Sequence, residues 1–250
     1  MASQSLNGKV AVVTGAAGAI GQSICRRLLN DGIDLIGIDI DRKRLSELEN
    51  LLGIKTICTD LDELDGLPSA LGDVGTVDII INNAGIAESA DITLDFSNWS
   101  SMFDKTIDVN LKAPSLIFKE IIKYKRSNQI KSRLRFINIA SRAAFRGEQQ
   151  DYISYACSKG GIISLTKTMS RSFGESDNVV AISIAPGFVR TEMAQSFIDK
   201  HGEDSVKQGI TLDRLTEPKD ISPIVALIAS GKLDHSSGST IDINGGSYLR

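Results

Sequence analysis

Residues 9–21 read KVAVVTGAAGAIG: an apolar, β-branched run that breaks into a glycine-rich turn and then enters an amphipathic segment reaching about Asn30. Strand, tight turn and helix in immediate succession are how an α/β chain opens. The glycines let the backbone turn sharply and approach an anion, while the unpaired amides at the helix start face that anion. Gly15, Gly18, Ile20 and Gly21 are thus candidates to hold a pyrophosphate. Eighteen residues beyond Gly21, Asp39 ends the next apolar run, where a carboxylate accepts hydrogen bonds from adenosine ribose hydroxyls and repels a 2′-phosphate. NAD is therefore the expected cofactor, with NADP as the alternative. Arg42 and Lys43 read as the exposed first turn of the following helix, and Gly18 offers no side chain to grip a phosphate.

The same alternation continues outward. Lys9–Thr14, Leu35–Asp39, Lys55–Cys58, Val77–Ile81, Leu134–Ile139, Val179–Ile184 and Ser239–Ile243 are strand-length runs, most of them separated by amphipathic stretches of helical length. Such alternation demands a parallel sheet covered on both faces, because each crossover must return over the sheet. The expected architecture is α/β, a doubly wound Rossmann fold of about seven parallel strands with helices on both faces. At 250 residues without a Pro/Gly/Ser-rich linker, one domain spanning 1–250 is expected, its dinucleotide-binding part lying mainly in 8–140.

Hydrophobic residues at 42% and charged residues at 24% are ordinary for a globular protein and argue against disorder or membrane spanning. A net charge of −3 argues against nucleic-acid binding. Met1–Asn7 carries no basic patch followed by a long apolar stretch, so a cytoplasmic location is the expectation. Cys25, Cys58 and Cys157 lack metal-type spacing, and His201 and His235 are isolated; neither a disulfide framework nor a metal site is expected.

The chemistry-bearing stretch is YACSK. Tyr155 and Lys159 stand four residues apart, so on a helix they differ by only about 40° around the axis and project from one face. A phenol titrates near 10, too high for proton exchange at neutrality, and a cation beside it favours the phenolate. Lys159 is expected to supply that charge, and Ser141, upstream after an apolar run, a hydroxyl. Cys157 falls about 200° around the helix from Tyr155 and reads as a packing residue.

Together these pieces resemble the short-chain dehydrogenase/reductase family from Lys9 to Gly246. The family's TGxxxGxG segment is met at Thr14, Gly15 and Gly21, with Ala19 at its middle glycine; Asn82, Asn83, Ala84 and Gly85 resemble its NNAG. The resemblance implies that Asn83, Ala84 and Gly85 border the adenosine, that Asp60 and Leu61 meet the adenine, and that Asn110, in DVNLKAP, holds a water in a proton relay. It places Pro186, Gly187, Val189 and Thr191 beside the nicotinamide, with Ile182 as a packing variation where the family often has asparagine. It makes Tyr155 the general acid or base, Lys159 its partner and the nicotinamide-ribose ligand, and Ser141 the group steadying the substrate oxygen. Ser141 lies fourteen residues before Tyr155 where the family usually has thirteen; a one-residue insertion within 143–154 accounts for this, since loops absorb insertions cheaply.

The implied reaction is hydride transfer between nicotinamide and a secondary alcohol or ketone. A 3-oxoacyl-thioester reductase using NADPH is the alternative, and a non-catalytic dinucleotide sensor or scaffold a more distant one. A third class, a sugar-nucleotide epimerase, needs more chain after Pro186. Residues 141–154 and a lid over 191–209 should line the substrate pocket, where Arg142 and Arg146 are either anion ligands or ordinary surface charge. Lys119, Lys123, Lys125, Arg126, Lys131, Arg133 and Arg135 form a basic cluster that suits an acidic partner such as acyl carrier protein, although a solvated helix end is the favoured reading. The resemblance also implies a homotetramer built through helices within Phe103–Lys125 and Tyr152–Phe173.

Overall fold

Seven β-branched runs pair into one parallel sheet: β1 (Val10–Thr14), β2 (Asp34–Asp39), β3 (Lys55–Cys58), β4 (Ile79–Asn82), β5 (Leu134–Ile139), β6 (Val179–Pro186) and β7 (Thr240–Ile243). Their spatial order is β3-β2-β1-β4-β5-β6-β7, and each neighbouring pair is parallel. The computed structural model describes residues 6–250 other than 73, 208 and 213, with the backbone alone at 193, 196, 197, 200, 201 and 205. The helices are α1 (Ala19–Asn30), α2 (Arg42–Leu52), α3 (Leu67–Gly72), α4 (Phe96–Ile107), α5 (Ala113–Ser127), α6 (Ala143–Arg146), α7 (Ile153–Phe173), α8 (Glu192–His201), α9 (Glu203–Lys207) and α10 (Pro218–Ala229).

The five central strands are covered on both faces, which is why they read as continuous apolar runs, while the edge strands β3 and β7 stay partly exposed. On one face Ala11 and Val13 pack with Ile24 and Leu28 of α1, Leu48 of α2, and Ile221 and Val225 of α10. On the other, Val12 and Phe136 pack with Leu67 and Leu71 of α3, Ile117 and Ile121 of α5, and Met169 of α7. The expected start of the fourth strand moves inward to Ile79, because Asp78 is used at the sheet's edge: its carboxylate accepts from Lys9 Nζ at 2.7 Å and from the Val10 amide at 3.1 Å.

The long helix expected from Phe103 is longer and interrupted. α4 and α5 are joined by a π turn, Asp108–Lys112, in which the Ala113 amide bonds back to the Asp108 carbonyl. Hydrophobic periodicity has no signature for such a turn, and π turns gather at functional sites.

The basic cluster at the end of α5 is corrected by partners distant in sequence. Lys125 is buried and donates to the Ile130 carbonyl at 2.8 Å and to that of Ser132, closing the helix end. Arg126 makes a two-pronged pair with Asp177, at 2.7 and 2.8 Å, whose hydrogen bonds hold that carboxyl down at about 2. Arg133 and Arg135 both bind Asp234, and Lys119 pairs with Glu120. Three carboxylates, Glu120, Asp177 and Asp234, thus offset part of the positive charge and tie several of these side chains down.

Candidate active site

The strand order places the C-terminal ends of β1 and β4 side by side with their connections leaving in opposite directions, the switch point where α/β sheets open a crevice. A cleft of about 1270 Å³ occupies it, running from Gly15, Gly18, Ile20 and Gly21 past Asp39 and Asp60 to Ser141, Tyr155, Pro186 and Thr191.

At one end the chain builds a cradle for an anion. Gly15 has φ of 63°, and a Cβ there would stand 2.9 Å from the Ala84 Cα, so the two loops touch at a position only glycine fills easily. A Cβ on Gly21 would overlap the Gly15 carbonyl oxygen, which fixes how tightly α1 starts. Gly18 is the residue preceding α1 and lends it no side-chain cap, so the first amides of the helix keep their donors for a ligand. Ala19, the departure from the family pattern, is exposed in the first turn and lines the cleft. Thr14 ties the loops together: its hydroxyl oxygen accepts from the amides of Asn83 and Ala84, each at 3.0 Å, while Asn83 Nδ2 donates to the carbonyls of Thr14 and Gly15.

Asp39 lines the cleft and is also structural, accepting from the Ala17 amide at 2.9 Å and the Asp41 amide at 3.1 Å. Its carboxylate thus pins the glycine loop to the end of β2. Arg42 and Lys43 are exposed, as expected for a first helical turn. Arg44 was not foreseen: its Nη1 lies 2.7 Å from Glu192 Oε2, an exposed clasp from α2 to α8 beside the cleft. Asp60 accepts from the Asp62 amide and Leu61 is buried, both lining the cleft.

The nicotinamide-side residues also reach the cleft. Val189 forms a parallel bridge with Thr216. A Cβ on Gly187 would stand 2.8 Å from the Asn244 Cα. Thr191 caps α8 by accepting from the Ala194 amide at 3.3 Å. The expected lid, 191–209, contains α8 and α9 around the apolar group Ala194, Ile198, Val206 and Leu215; position 208 and several side chains of this stretch lie outside the described residues.

Ser141, Tyr155 and Lys159 meet at the far end of the cleft. Ser141 and Tyr155 line the same end of the cleft, and Ser141 acts to lower the pKa of the Tyr155 phenol; the residues between them form α6 and the loop after it. Lys159 is buried, donates to the Ile139 carbonyl at 3.0 Å and lies 5.7 Å from the centre of the Tyr155 ring. One expectation changes here. Burial pushes the Tyr155 phenol above its ordinary value; the Ser141 hydrogen bond lowers it, Glu148 raises it and Arg142 lowers it. Burial also pulls Lys159 down to about 8, so its charge is lost as pH rises through that value. Desolvation penalises both charged forms, and the Lys159 ammonium is held by a backbone carbonyl.

Asn110 sits in the π turn with its amide fully engaged: Oδ1 accepts from the Ile86 amide at 2.8 Å, and Nδ2 donates to the Ile86 carbonyl and to Ser158 Oγ. Ser158 in turn donates to the Tyr155 carbonyl at 2.8 Å. Sequence reading passed over Ser158, although a small polar residue three after Tyr155 on the same helix face was the available signal. A Cβ on Gly85 would stand 3.2 Å from both Asn110 Oδ1 and Lys159 Nζ, so these elements close around one small space. Arg146 pairs with Glu148 at 2.7 Å.

A family model described as short chain dehydrogenase matches residues 9–202. The chain is 32% identical to the 3-oxoacyl-(acyl-carrier-protein) reductase of Rickettsia felis over 98% of both chains. It is 31% identical to the 2-dehydro-3-deoxy-D-gluconate 5-dehydrogenase of Escherichia coli, again over 98% of both. Among solved structures, 4-hydroxyisoleucine dehydrogenase complexed with NADH superposes with a TM-score of 0.85 at 30% identity, covering 96% of this chain and 98% of that one.

Proposed function

The chain belongs to the short-chain dehydrogenase family and is a nicotinamide-dinucleotide-dependent oxidoreductase of alcohol and carbonyl groups; within that activity we propose that Tyr155 exchanges the proton at the substrate oxygen. The observation that carries this is the meeting of Ser141, Tyr155 and Lys159 at one end of a cleft whose other end is a glycine cradle. The residues present fit a dinucleotide: uncapped amides of α1 for its pyrophosphate, Asp39 for a ribose, Asp60, Leu61 and residues 83–85 for the adenosine, and Pro186, Gly187, Val189 and Thr191 for the nicotinamide. When bound, that group gives or takes the hydride.

The chain's own part is the proton and the geometry. Ser141 holds the substrate oxygen and Tyr155 as neighbours, so proton transfer needs no rearrangement. Lys159, charged below about pH 8, favours the phenolate when Tyr155 gives up its proton. Asn110 fixes the π turn against Ile86 and Ser158, and a relay water belongs at the backbone that this turn releases. We assign the whole chain to one domain, 8–140 mainly for the dinucleotide and 191–209 as lid, working in the cytoplasm.

NAD is the proposed cofactor, because Asp39 puts a carboxylate where a 2′-phosphate would lie and its two backbone bonds hold it there. Nicotinamide absorbance followed with a panel of ketones tests this and the reaction class together. A preference for NADH over NADPH of at least about tenfold in kcat/KM, roughly 1.4 kcal/mol, is expected; equal use or an NADPH preference would contradict it. The relative from Rickettsia favours a second reading, a 3-oxoacyl-thioester reductase, against which stand Asp39 and the ties that hold Lys119, Lys125 and Arg126 to groups of this chain.

A homotetramer through α4–α5 and α7 completes the reading, supported by the apolar surface α4 leaves outward: Phe96 is 88% exposed, beside the stacked pair Trp99 and Phe103. Light scattering should give a mass of about four chains; a monomer mass would rule the assembly out.

A further inference from the structure

Arg142 follows Ser141 directly, lines the cleft and is half-buried, yet among the described residues its guanidinium makes no hydrogen bond or ion pair. Its backbone is fixed: its amide bonds to the Pro186 carbonyl at 3.0 Å and its carbonyl starts α6 by accepting from the Phe145 amide. Glu148 acts on Arg142 only through space, its carboxylate being paired at 2.7 Å with Arg146, which bears on Arg142 as a second positive charge. A partly desolvated guanidinium with no carboxylate in direct contact is unfavourable by itself and becomes favourable when an anion arrives.

We infer that Arg142 is a specificity residue that binds a carboxylate of the substrate, making the preferred substrates short hydroxy and oxo acids rather than neutral ketones or acyl thioesters. The inference rests on the reaction proposed above. Because Ser141 and Tyr155 mark the reacting oxygen and Arg142 is the next residue along the chain, the carboxylate must lie close to the reacting carbon. A guanidinium binds a carboxylate through two parallel hydrogen bonds, which fixes the acid's orientation as well as its affinity.

The test compares acetoacetate with methyl acetoacetate and with the N-acetylcysteamine thioester of acetoacetate, and 4-oxopentanoate with its methyl ester, in wild type, Arg142→Gln and Arg142→Lys. The acids should be preferred in wild type by on the order of 30-fold in kcat/KM, the worth of a charged hydrogen-bonded pair. Arg142→Gln should lose that preference, its KM rising far more for the acids than for the methyl esters, and its remaining turnover of the esters reports that the variant is folded. Arg142→Lys should keep part of the preference. Equal use of acid and ester by wild type, preference for the thioester, an equal fall on acid and ester in Arg142→Gln, or a fall in NADH affinity instead would overturn the inference. Absence of turnover with the whole set would count against the proposed reaction. The fluorescence of bound NADH titrated with butyrate then reads Arg142 separately: a response lost in Arg142→Gln sustains the carboxylate site, and no response in wild type overturns it.

Discussion

Tyr155→Phe should lower turnover by about 10³-fold, the range set by removing a positioned general acid or base, while the affinity for dinucleotide stays near that of the wild type. Phenylalanine keeps the ring that fills this end of the cleft and deletes only the hydroxyl, so the packing around Lys159 and Ser141 survives. The Ser141 hydroxyl keeps its bond from the Ala143 amide at 3.1 Å, so no orphaned buried polar group arises there to unfold the loop. Separating binding from turnover is the point of the experiment. Dinucleotide affinity is read from the fluorescence of bound NADH and turnover from nicotinamide absorbance. A variant that binds normally and turns over within a few-fold of wild type would remove Tyr155 from the chemistry.

Gly21→Ala is expected to have an effect of comparable size at the other end of the cleft. The added methyl would overlap the Gly15 carbonyl oxygen and stand 2.8 Å from the Ala16 Cα, and both obstacles are backbone that no rotamer change can clear. Either the glycine loop or the first turn of α1 must move, and the amides proposed to hold the pyrophosphate move with it. Dinucleotide affinity should weaken by on the order of 100-fold, equivalent to about 2.7 kcal/mol, with a lower melting temperature that added NADH no longer raises. Gly18→Ala is the internal control, because a Cβ there meets nothing nearer than 3.4 Å; its loss of affinity should be smaller. If Gly21→Ala bound dinucleotide as the wild type does, the cradle would not be the anion site.

Most of the architecture is legible in the sequence because its cause is local. Each strand is a short β-branched run and each intervening helix an amphipathic one, so alternation alone dictates a parallel, doubly covered sheet; the glycine spacing at 15, 18 and 21 marks the turn between β1 and α1. The candidate site is legible for the same reason where its members share one element, as Tyr155 and Lys159 share α7. What escaped the sequence was set by tertiary partners. Asp177 and Asp234 pair with Arg126, Arg133 and Arg135 from 51, 101 and 99 residues away, so part of what reads as a basic surface is a set of tertiary ties. The π turn at Asp108–Lys112 follows from Asn110 bonding to Ile86 and Ser158, which no periodicity encodes. The net effect of burial on Tyr155 and Lys159 likewise depends on what surrounds them: spacing foretells their proximity, whereas their ionisation is decided by how dry the site is.

The account's central claim is that the Tyr155 hydroxyl carries the proton. The direct measurement is the pH dependence of kcat/KM for alcohol oxidation in wild type and in the slow residual reaction of Tyr155→Phe. Oxidation requires the phenolate, so the wild-type rate should rise with pH as the phenol ionises, and the residual rate of Tyr155→Phe should lack that rise. The same rise persisting in Tyr155→Phe would assign the proton to another group and contradict the account.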